Sequence, residues 1–138
     1  MIQVFCDGGS RNNPGHAAYG YVVRQNGKVI KQSGAYIGIA TNNFAEYTAL
    51  IKALEWLSLN KPGSELIVNL DSLLAVSQLN GIYKVKNATI RELIVKVREL
   101  EGEFTKIVYR HIPRGQNWEA DQLVNQALDQ QATKPYGA

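Results

Sequence analysis

The order in which strand-like and helix-like segments follow one another is the strongest constraint on how this chain folds. Two apolar runs flank the turn residues Gln25-Asn26-Gly27, which predicts a hairpin, and an earlier apolar run makes three antiparallel strands. Strands are predicted at Ile2–Asp7, Ala17–Arg24, Lys28–Ile37, Glu65–Leu70 and Phe104–His111. Helices are predicted at Asn43–Leu59, from Asp71-Ser72 onward, at Asn87–Glu101 and at Asn117–Gln131. The order β-β-β-α-β-α-α-β-α predicts a mixed α/β fold with one five-stranded mixed sheet flanked by helices.

Length and composition exclude several classes of protein. The 138 residues, 45% of them hydrophobic, suit one domain, which we expect to span residues 1–131 before a small polar tail at 132–138. The single cysteine, Cys6, lies in an apolar strand and argues against disulfide frameworks and cysteine-rich zinc sites. We therefore expect Cys6 to be a core residue. We also expect the protein to be a cytoplasmic monomer without a membrane segment. The net charge of +3 permits a polyanionic partner without requiring one.

Two carboxylates follow strands that the element order can place side by side. Asp7 ends the first predicted strand and Asp71 ends the fourth. Ligands bind beyond the carboxyl ends of parallel strands in open α/β sheets, so this edge is the expected site. Taken singly, Asp71 is also typical of a helix N-cap and Asp7 of an Asx turn into Gly8-Gly9. Taken together, they form an anionic pocket that a divalent cation would stabilise.

Glu46 is unusual because it falls on the apolar face of its predicted helix. At 3.6 residues per turn, Leu50, Ala53, Leu54 and Leu57 lie within roughly 80° of it, whereas Glu55 lies roughly 180° away. The alternative is a capping box in which Asn43 caps the helix and Glu46 reaches back to its amide. An inward-facing position favours a role in chemistry over the cap.

Asp121 is the fourth candidate, at the edge of the apolar stripe of the last helix, where an acid also suits the helix dipole. Glu119 and Asp129 are typical of surface charges, and we assign them no role.

Oxygen-only ligands favour Mg²⁺ or Mn²⁺ over zinc. Two such ions about 4 Å apart suit hydrolysis of a nucleic acid phosphodiester. The chain has no Walker A loop, no dinucleotide-binding glycine pattern and no serine-hydrolase elbow.

The motifs together resemble the type 1 ribonuclease H family, and they occur in family order over nearly the whole chain. They are Asp7-Gly8-Gly9-Ser10, Asn13-Pro14-Gly15, Thr41-Asn42-Asn43-x-x-Glu46, Asp71-Ser72 and Asn117-x-x-Ala120-Asp121. The resemblance implies a ribonuclease H-like fold and an endonuclease that cuts the RNA strand of RNA/DNA hybrids with two Mg²⁺ or Mn²⁺ ions. It implies 5′-phosphate and 3′-hydroxyl products.

The resemblance also assigns roles to individual residues. The metal-binding and catalytic acids it implies are Asp7, Glu46, Asp71 and Asp121. Substrate contacts are implied for Gly8, Ser10, Asn13, Asn42 and Asn43, of which the asparagines are also typical turn and cap residues. His111, ten residues before Asp121, matches a histidine that assists proton transfer or product release. Its position in an apparent strand leaves a structural role as the alternative.

The chain departs from the longer bacterial relatives at two places. Leu73 stands where many of them carry a polar residue that contacts nucleic acid, so that contact is expected to be lost. Leu79–Asn87 offers only Lys84 and Lys86 where they have a basic protrusion, which indicates a compact member. Compact members also lack that protrusion, so activity is still expected.

Three alternatives stay open at the level of sequence. A binding module would keep the fold without cleavage, although the four intact acids argue against it. Double-stranded RNA is a second substrate that some compact members cut. A domain of a larger polyprotein is the third, and the start at Met1 with a completed last helix leads us to expect a free-standing enzyme instead.

Overall fold

The computed structural model describes residues 1–133 and contains the strands and helices in the predicted order. The strands are β1 Ile2–Arg11, β2 Gly15–Gln25, β3 Lys28–Ala40, β4 Glu65–Leu70 and β5 Lys106–His111. The helices are α1 Asn42–Asn60, α2 Leu73–Leu79, α3 Ala88–Glu101 and α4 Trp118–Ala132, with a 3₁₀ turn at Arg114–Asn117. Ala132, assigned to the tail by the sequence, is the last residue of α4, and residues 134–138 of that tail lie outside the described range.

The five strands form one sheet in the order β3-β2-β1-β4-β5, which confirms the predicted mixed sheet. β1 pairs with β2 antiparallel and with β4 parallel, and β4 pairs with β5 parallel. The β2–β3 hairpin turns at Asn26 and Gly27, whose φ angles of 54° and 78° are those of a tight hairpin turn. The central strands β1 and β4 therefore run side by side and end at the same edge of the sheet.

Helices cover both faces of the sheet. The larger core joins β1, β2 and β4 to α1, α2 and α3, and Cys6 is fully buried in it, as predicted. A smaller cluster on α4 packs on Ala18 of β2. Here α4 approaches closely because Gly20 has no side chain: a Cβ at that position would lie 2.5 Å from the carbonyl oxygen of Ala120.

Two ion pairs join α4 to the sheet. Glu119 is half-buried in one of them, which corrects its prediction as a plain surface charge, whereas Asp129 is exposed as predicted. Glu119 accepts hydrogen bonds from the Arg24 guanidinium of β2 through both carboxylate oxygens, at 2.8 and 2.7 Å. Asp129 pairs with Arg11 of β1 at 2.6 Å. The sequence pattern missed these pairs because the partners are far apart along the chain and meet only when α4 docks.

The loop at residues 80–87 joins α2 to α3 and carries Lys84 and Lys86, the two lysines noted in the sequence. It folds back on α2, since the backbone amides of Ile82 and Tyr83 both donate to the carbonyl oxygen of Ser77. Among residues 1–133, no helix combines the length and apolar character that a membrane crossing requires.

Candidate active site

Asp7 lies within β1, at the point where the parallel ladder stops. Cys6 and Leu70 form the last pair between β1 and β4, while β1 continues beside β2 as far as Arg11. The predicted end of the strand at Asp7 and the Asx-turn alternative are therefore wrong. The reason is that Gly8 and Gly9 keep their antiparallel partners on β2. Asp7 is thus held in extended backbone at the edge where β4 ends.

Glu46 reaches the same place from α1. The alternative interpretation, a capping box between Asn43 and Glu46, is wrong. Thr41 caps the helix instead, its Oγ1 accepting a hydrogen bond from the Phe44 amide at 3.1 Å. Glu46 is only 7% exposed and its Oε2 atom has no hydrogen-bond partner. The expectation that Glu46 faces inward is confirmed.

Gly8 explains how α1 comes this close to β1. A Cβ at Gly8 would lie 2.2 Å from the carbonyl carbon of Ala45 and 2.4 Å from the Glu46 amide nitrogen. Backbone therefore packs directly on backbone at this point, and only glycine fits. Gly8, expected from the resemblance to be a substrate contact, has this packing role in the fold.

Asp71 completes the cluster from the end of β4. The N-cap of α2 is Ser72, whose Oγ accepts from the Ala75 amide at 3.1 Å, so the Asp71 carboxylate is not used as a cap. Asp7, Glu46 and Asp71 each offer one oxygen, and these oxygens all lie within 4.8 Å of one another. The structure thus brings together three carboxylates from β1, α1 and β4.

Asp121 joins them from α4. It lines the same cleft of about 390 Å³ as the three clustered acids. Its negative charge is close enough to contribute to the raised pKa of Asp7. Asn125, one turn later, donates to the Asp121 Oδ2 atom at 3.2 Å. All four acids predicted from the sequence therefore face one cleft.

The pKa values of two of the acids reflect this crowding. Burial, with the negative charges of Asp71 and Asp121, raises the pKa of Asp7 from 3.8 to about 8. Burial and the charges of Asp7 and Asp71 raise the pKa of Glu46 well above its usual value, opposed by the Arg114 guanidinium. Without a compensating cation, Asp7 therefore holds a proton near neutral pH, and the same crowding favours the protonated form of Glu46.

The donor set fits a divalent cation. Carboxylate oxygens are the hard ligands that Mg²⁺ and Mn²⁺ prefer. The unpartnered Oε2 atom of buried Glu46 is the kind of orphaned acceptor that a cation satisfies. Asp7, Glu46 and Asp71 are the residues that would hold the ion, with Asp121 at the side of the same cleft.

We expect Asp7→Asn to stabilise the metal-free protein increasingly as pH rises. Because the folded-state pKa of Asp7 is raised from 3.8 to about 8, the folded protein binds more protons than the unfolded chain between these values, and its free energy of unfolding falls with rising pH. Asparagine removes this penalty. Thermal unfolding with EDTA, from about pH 5 to about pH 9, measures the difference in Tm between variant and wild type. A difference that stays constant over this range would contradict the raised pKa.

Sequence reasoning missed Asn117, which it quoted in a motif but gave no role. This residue is 1% exposed, and its Nδ2 donates to the Cys6 carbonyl oxygen at 2.8 Å and to Asp71 Oδ2 at 3.2 Å. Its position before an amphipathic helix indicates a cap, yet its side chain forms no cap hydrogen bond. Arg114 also lines the cleft.

Three of the residues expected to contact substrate form one hydrogen-bonded group beside the acids. The backbone amide of Asn42 donates to Asn13 Oδ1 at 2.9 Å, and Asn42 Oδ1 accepts from the backbone amide of Ser10 at 2.8 Å. Ser10 and Asn42 line the cleft of the four acids. Asn43 instead lines a separate groove of about 440 Å³ with Phe44 and Asn87. The structure therefore separates Asn43 from the other candidates.

His111 is the last residue of β5, paired with Leu70 of β4. Its Nε2 atom lies 3.3 Å from the backbone carbonyl oxygen of Asp71, and the residue is exposed. The expectation that His111 sits in a strand is confirmed. This contact places the imidazole next to a residue that carries one of the four acids. A catalytic role for His111 stays a prediction.

Comparison with known proteins gives consistent matches along the chain. Residues 5–127 match a family model described as reverse transcriptase-like. A bifunctional protein of Mycobacterium tuberculosis, Rv2228c, is 41% identical over 130 residues, covering 93% of this chain and 35% of its own length. A ribonuclease HI of Halobacterium salinarum is 40% identical over 129 residues, covering 93% of this chain and 64% of its own length. The chain thus spans about a third of the first relative and somewhat under two thirds of the second.

Solved structures match over the full fold. LC11-RNase H1, determined in complex with an RNA/DNA hybrid, is 42% identical and superposes with a TM-score of 0.92. The match covers 96% of this chain and 100% of that one.

Proposed function

The chain belongs to the type 1 ribonuclease H family, and from this premise we propose that it is a metal-dependent endonuclease that hydrolyses the RNA strand of RNA/DNA hybrids. The observation that carries the proposal is the convergence of Asp7, Glu46 and Asp71, whose ligand oxygens lie within 4.8 Å of one another. Relatives named ribonuclease H and a relative solved with an RNA/DNA hybrid support the activity and the substrate. The proposed products carry 5′-phosphate and 3′-hydroxyl ends.

The four acids would hold two Mg²⁺ or Mn²⁺ ions. The chemistry that such a pair supplies is activation of the attacking water and neutralisation of charge on the leaving 3′ oxygen. For this the carboxylates must be ionised, and the raised pKa of Asp7 means that its proton leaves when the cations bind. The fixed positions of the acids within β1, directly after β4 and in the first two turns of α1 and α4 set the spacing of the site.

The surroundings of the acids suit a nucleic acid duplex. Arg114 lines the cleft and supplies positive charge for phosphates. The hydrogen-bonded Ser10, Asn13 and Asn42 present polar groups at its side, which can read the 2′-hydroxyls of an RNA strand across a minor groove. Leu73, beside Asp71-Ser72, is 57% exposed and offers no polar contact there.

A cleavage panel tests the proposal. The protein is incubated with an RNA/DNA hybrid, double-stranded RNA and single-stranded RNA, each with Mg²⁺, with Mn²⁺ and with EDTA. We expect cleavage of the hybrid only when a divalent ion is present, with 5′-phosphate ends on the products. Binding of the hybrid without cleavage under every cation would instead identify a binding module, and preferential cutting of double-stranded RNA would replace the proposed substrate.

His111→Ala is expected to slow hybrid cleavage without abolishing it. The four acids stay intact in this variant, so we expect kcat to fall roughly 100-fold, at the lower end of what a proton-transfer group contributes. The pH profile of kcat, measured for both proteins, should lose one limb in the variant. An unchanged rate and an unchanged profile would assign His111 a purely structural role at the end of β5.

A further inference from the structure

Asn117 ties together the three chain segments that carry the aspartates. It precedes α4, which bears Asp121, and its Nδ2 donates to the carbonyl oxygen of Cys6, the residue before Asp7. The same nitrogen donates to Asp71 Oδ2 at 3.2 Å. We propose that Asn117 is a positioning residue whose amide fixes the Asp71 carboxylate for cation binding. This inference rests on the proposed metal-dependent function.

The chemistry of the two acceptors determines which way the amide points. A carbonyl oxygen and a carboxylate oxygen can only accept, so the amide nitrogen must face both of them. Turning the amide over would place Asn117 Oδ1 against two other acceptors. The two hydrogens of Nδ2 are therefore both used, and Oδ1 is left buried without a partner. A buried unpartnered acceptor is costly, which indicates that the two donated bonds determine the placement of this side chain.

The location of this amide determines what it controls. Cys6 and Leu70 are the last pair of the ladder between β1 and β4, and Asp71 begins the irregular backbone beyond that ladder. Asp71 is half-buried and no strand pairing holds it. A donor on Oδ2 selects one orientation of the carboxylate and directs Oδ1 away from Asn117. Partners of this kind around metal ligands tune affinity by orienting the ligand.

A structural role alone makes a different prediction. If the Cys6 bond were the only important one, Asn117→Ala would lower Tm without changing how the folded protein binds cations. If Asn117 orients Asp71, Asn117→Ala weakens cation binding in the folded protein even at temperatures far below Tm. The cation affinity separates the two roles, and it can be measured with no nucleic acid present.

The test measures Mn²⁺ affinity by calorimetry for the wild type, Asn117→Ala and Asn117→Ser. Gln116→Ala, an exposed neighbour in the same 3₁₀ turn, is the control. We expect the dissociation constant of Asn117→Ala to rise about tenfold or more, with a partial return in Asn117→Ser, which restores one donor. The control should bind as the wild type does. In cleavage assays kcat should fall while KM for the hybrid changes little.

A second measurement uses the wild-type protein alone and therefore does not depend on whether a variant folds. The side-chain amide resonances of Asn117 should shift on titration with Mg²⁺, at the half-saturation that calorimetry gives. Equal Mn²⁺ affinities in wild type and Asn117→Ala, or amide resonances that do not move while Mg²⁺ binds, would overturn the positioning role alone. Absence of Mn²⁺ and Mg²⁺ binding by the wild type would overturn the metal site and this inference with it.

Discussion

Asp7→Asn is expected to lower hybrid cleavage by at least about a thousandfold while the protein stays folded. Asp7 is clustered with Glu46 and Asp71 and shares one cleft with Asp121. A neutral amide removes one anionic ligand from the cluster. The rate constant at saturating hybrid, with either Mg²⁺ or Mn²⁺, measures the loss.

The stability of the same variant separates a chemical role from a structural one. Asp7 is 7% exposed among like charges, so its replacement relieves repulsion, and we expect the metal-free variant to be more stable by roughly 1 to 3 kcal/mol above neutral pH. Glu92→Gln, an exposed acid of α3, is the matched control and should change neither rate nor stability. Retention of hybrid cleavage by Asp7→Asn would refute its assignment as a ligand.

Gly8→Ala is expected to destabilise the protein by about 3 kcal/mol or more, because the added Cβ overlaps rigid backbone. The atoms it would meet are the Ala45 carbonyl carbon at 2.2 Å and the Glu46 amide nitrogen at 2.4 Å. No side chain can move aside there, so β1 and α1 must separate. Since that separation draws Glu46 away from Asp7, we expect cleavage to fall as well. Denaturant unfolding and the cleavage rate measure the two effects.

Gly9→Ala is the matched control for this substitution. It adds the same methyl group to the next residue of β1, where the nearest atom, Cγ1 of Val124, would be 3.7 Å away. This is an ordinary van der Waals distance, so its free energy of unfolding should change far less. Equal destabilisation by the two substitutions would contradict the close packing of α1 on Gly8.

The features that the sequence predicted well are those with a local periodic signal. The bounds of β4, Glu65–Leu70, are as predicted, because an apolar run stands between clear turn and cap residues. Glu46 is buried as predicted, because a helix with 3.6 residues per turn places it on the apolar stripe. The gathering of the four acids followed from the element order and the family motifs together.

The features that were mistaken depend on contacts between distant segments. Thr41, Asn42 and Asn43 can each cap a helix, and the choice of Thr41 depends on Asn42 being held by Ser10 and Asn13. β1 runs past Asp7 because β2 continues to pair with it. Asn117 gave no signal of its own, since both of its acceptors lie far away in sequence. Its amide bonds exist only in the folded chain.

X-ray diffraction near the manganese absorption edge is the most direct test of the proposed metal site. The crystals are of the wild-type protein and are grown with saturating Mn²⁺. We expect anomalous density between the carboxylates of Asp7, Glu46 and Asp71, about 2.2 Å from their oxygens. Manganese bound only at other places on the molecule, with no anomalous density in this cleft, would contradict the proposed metal site.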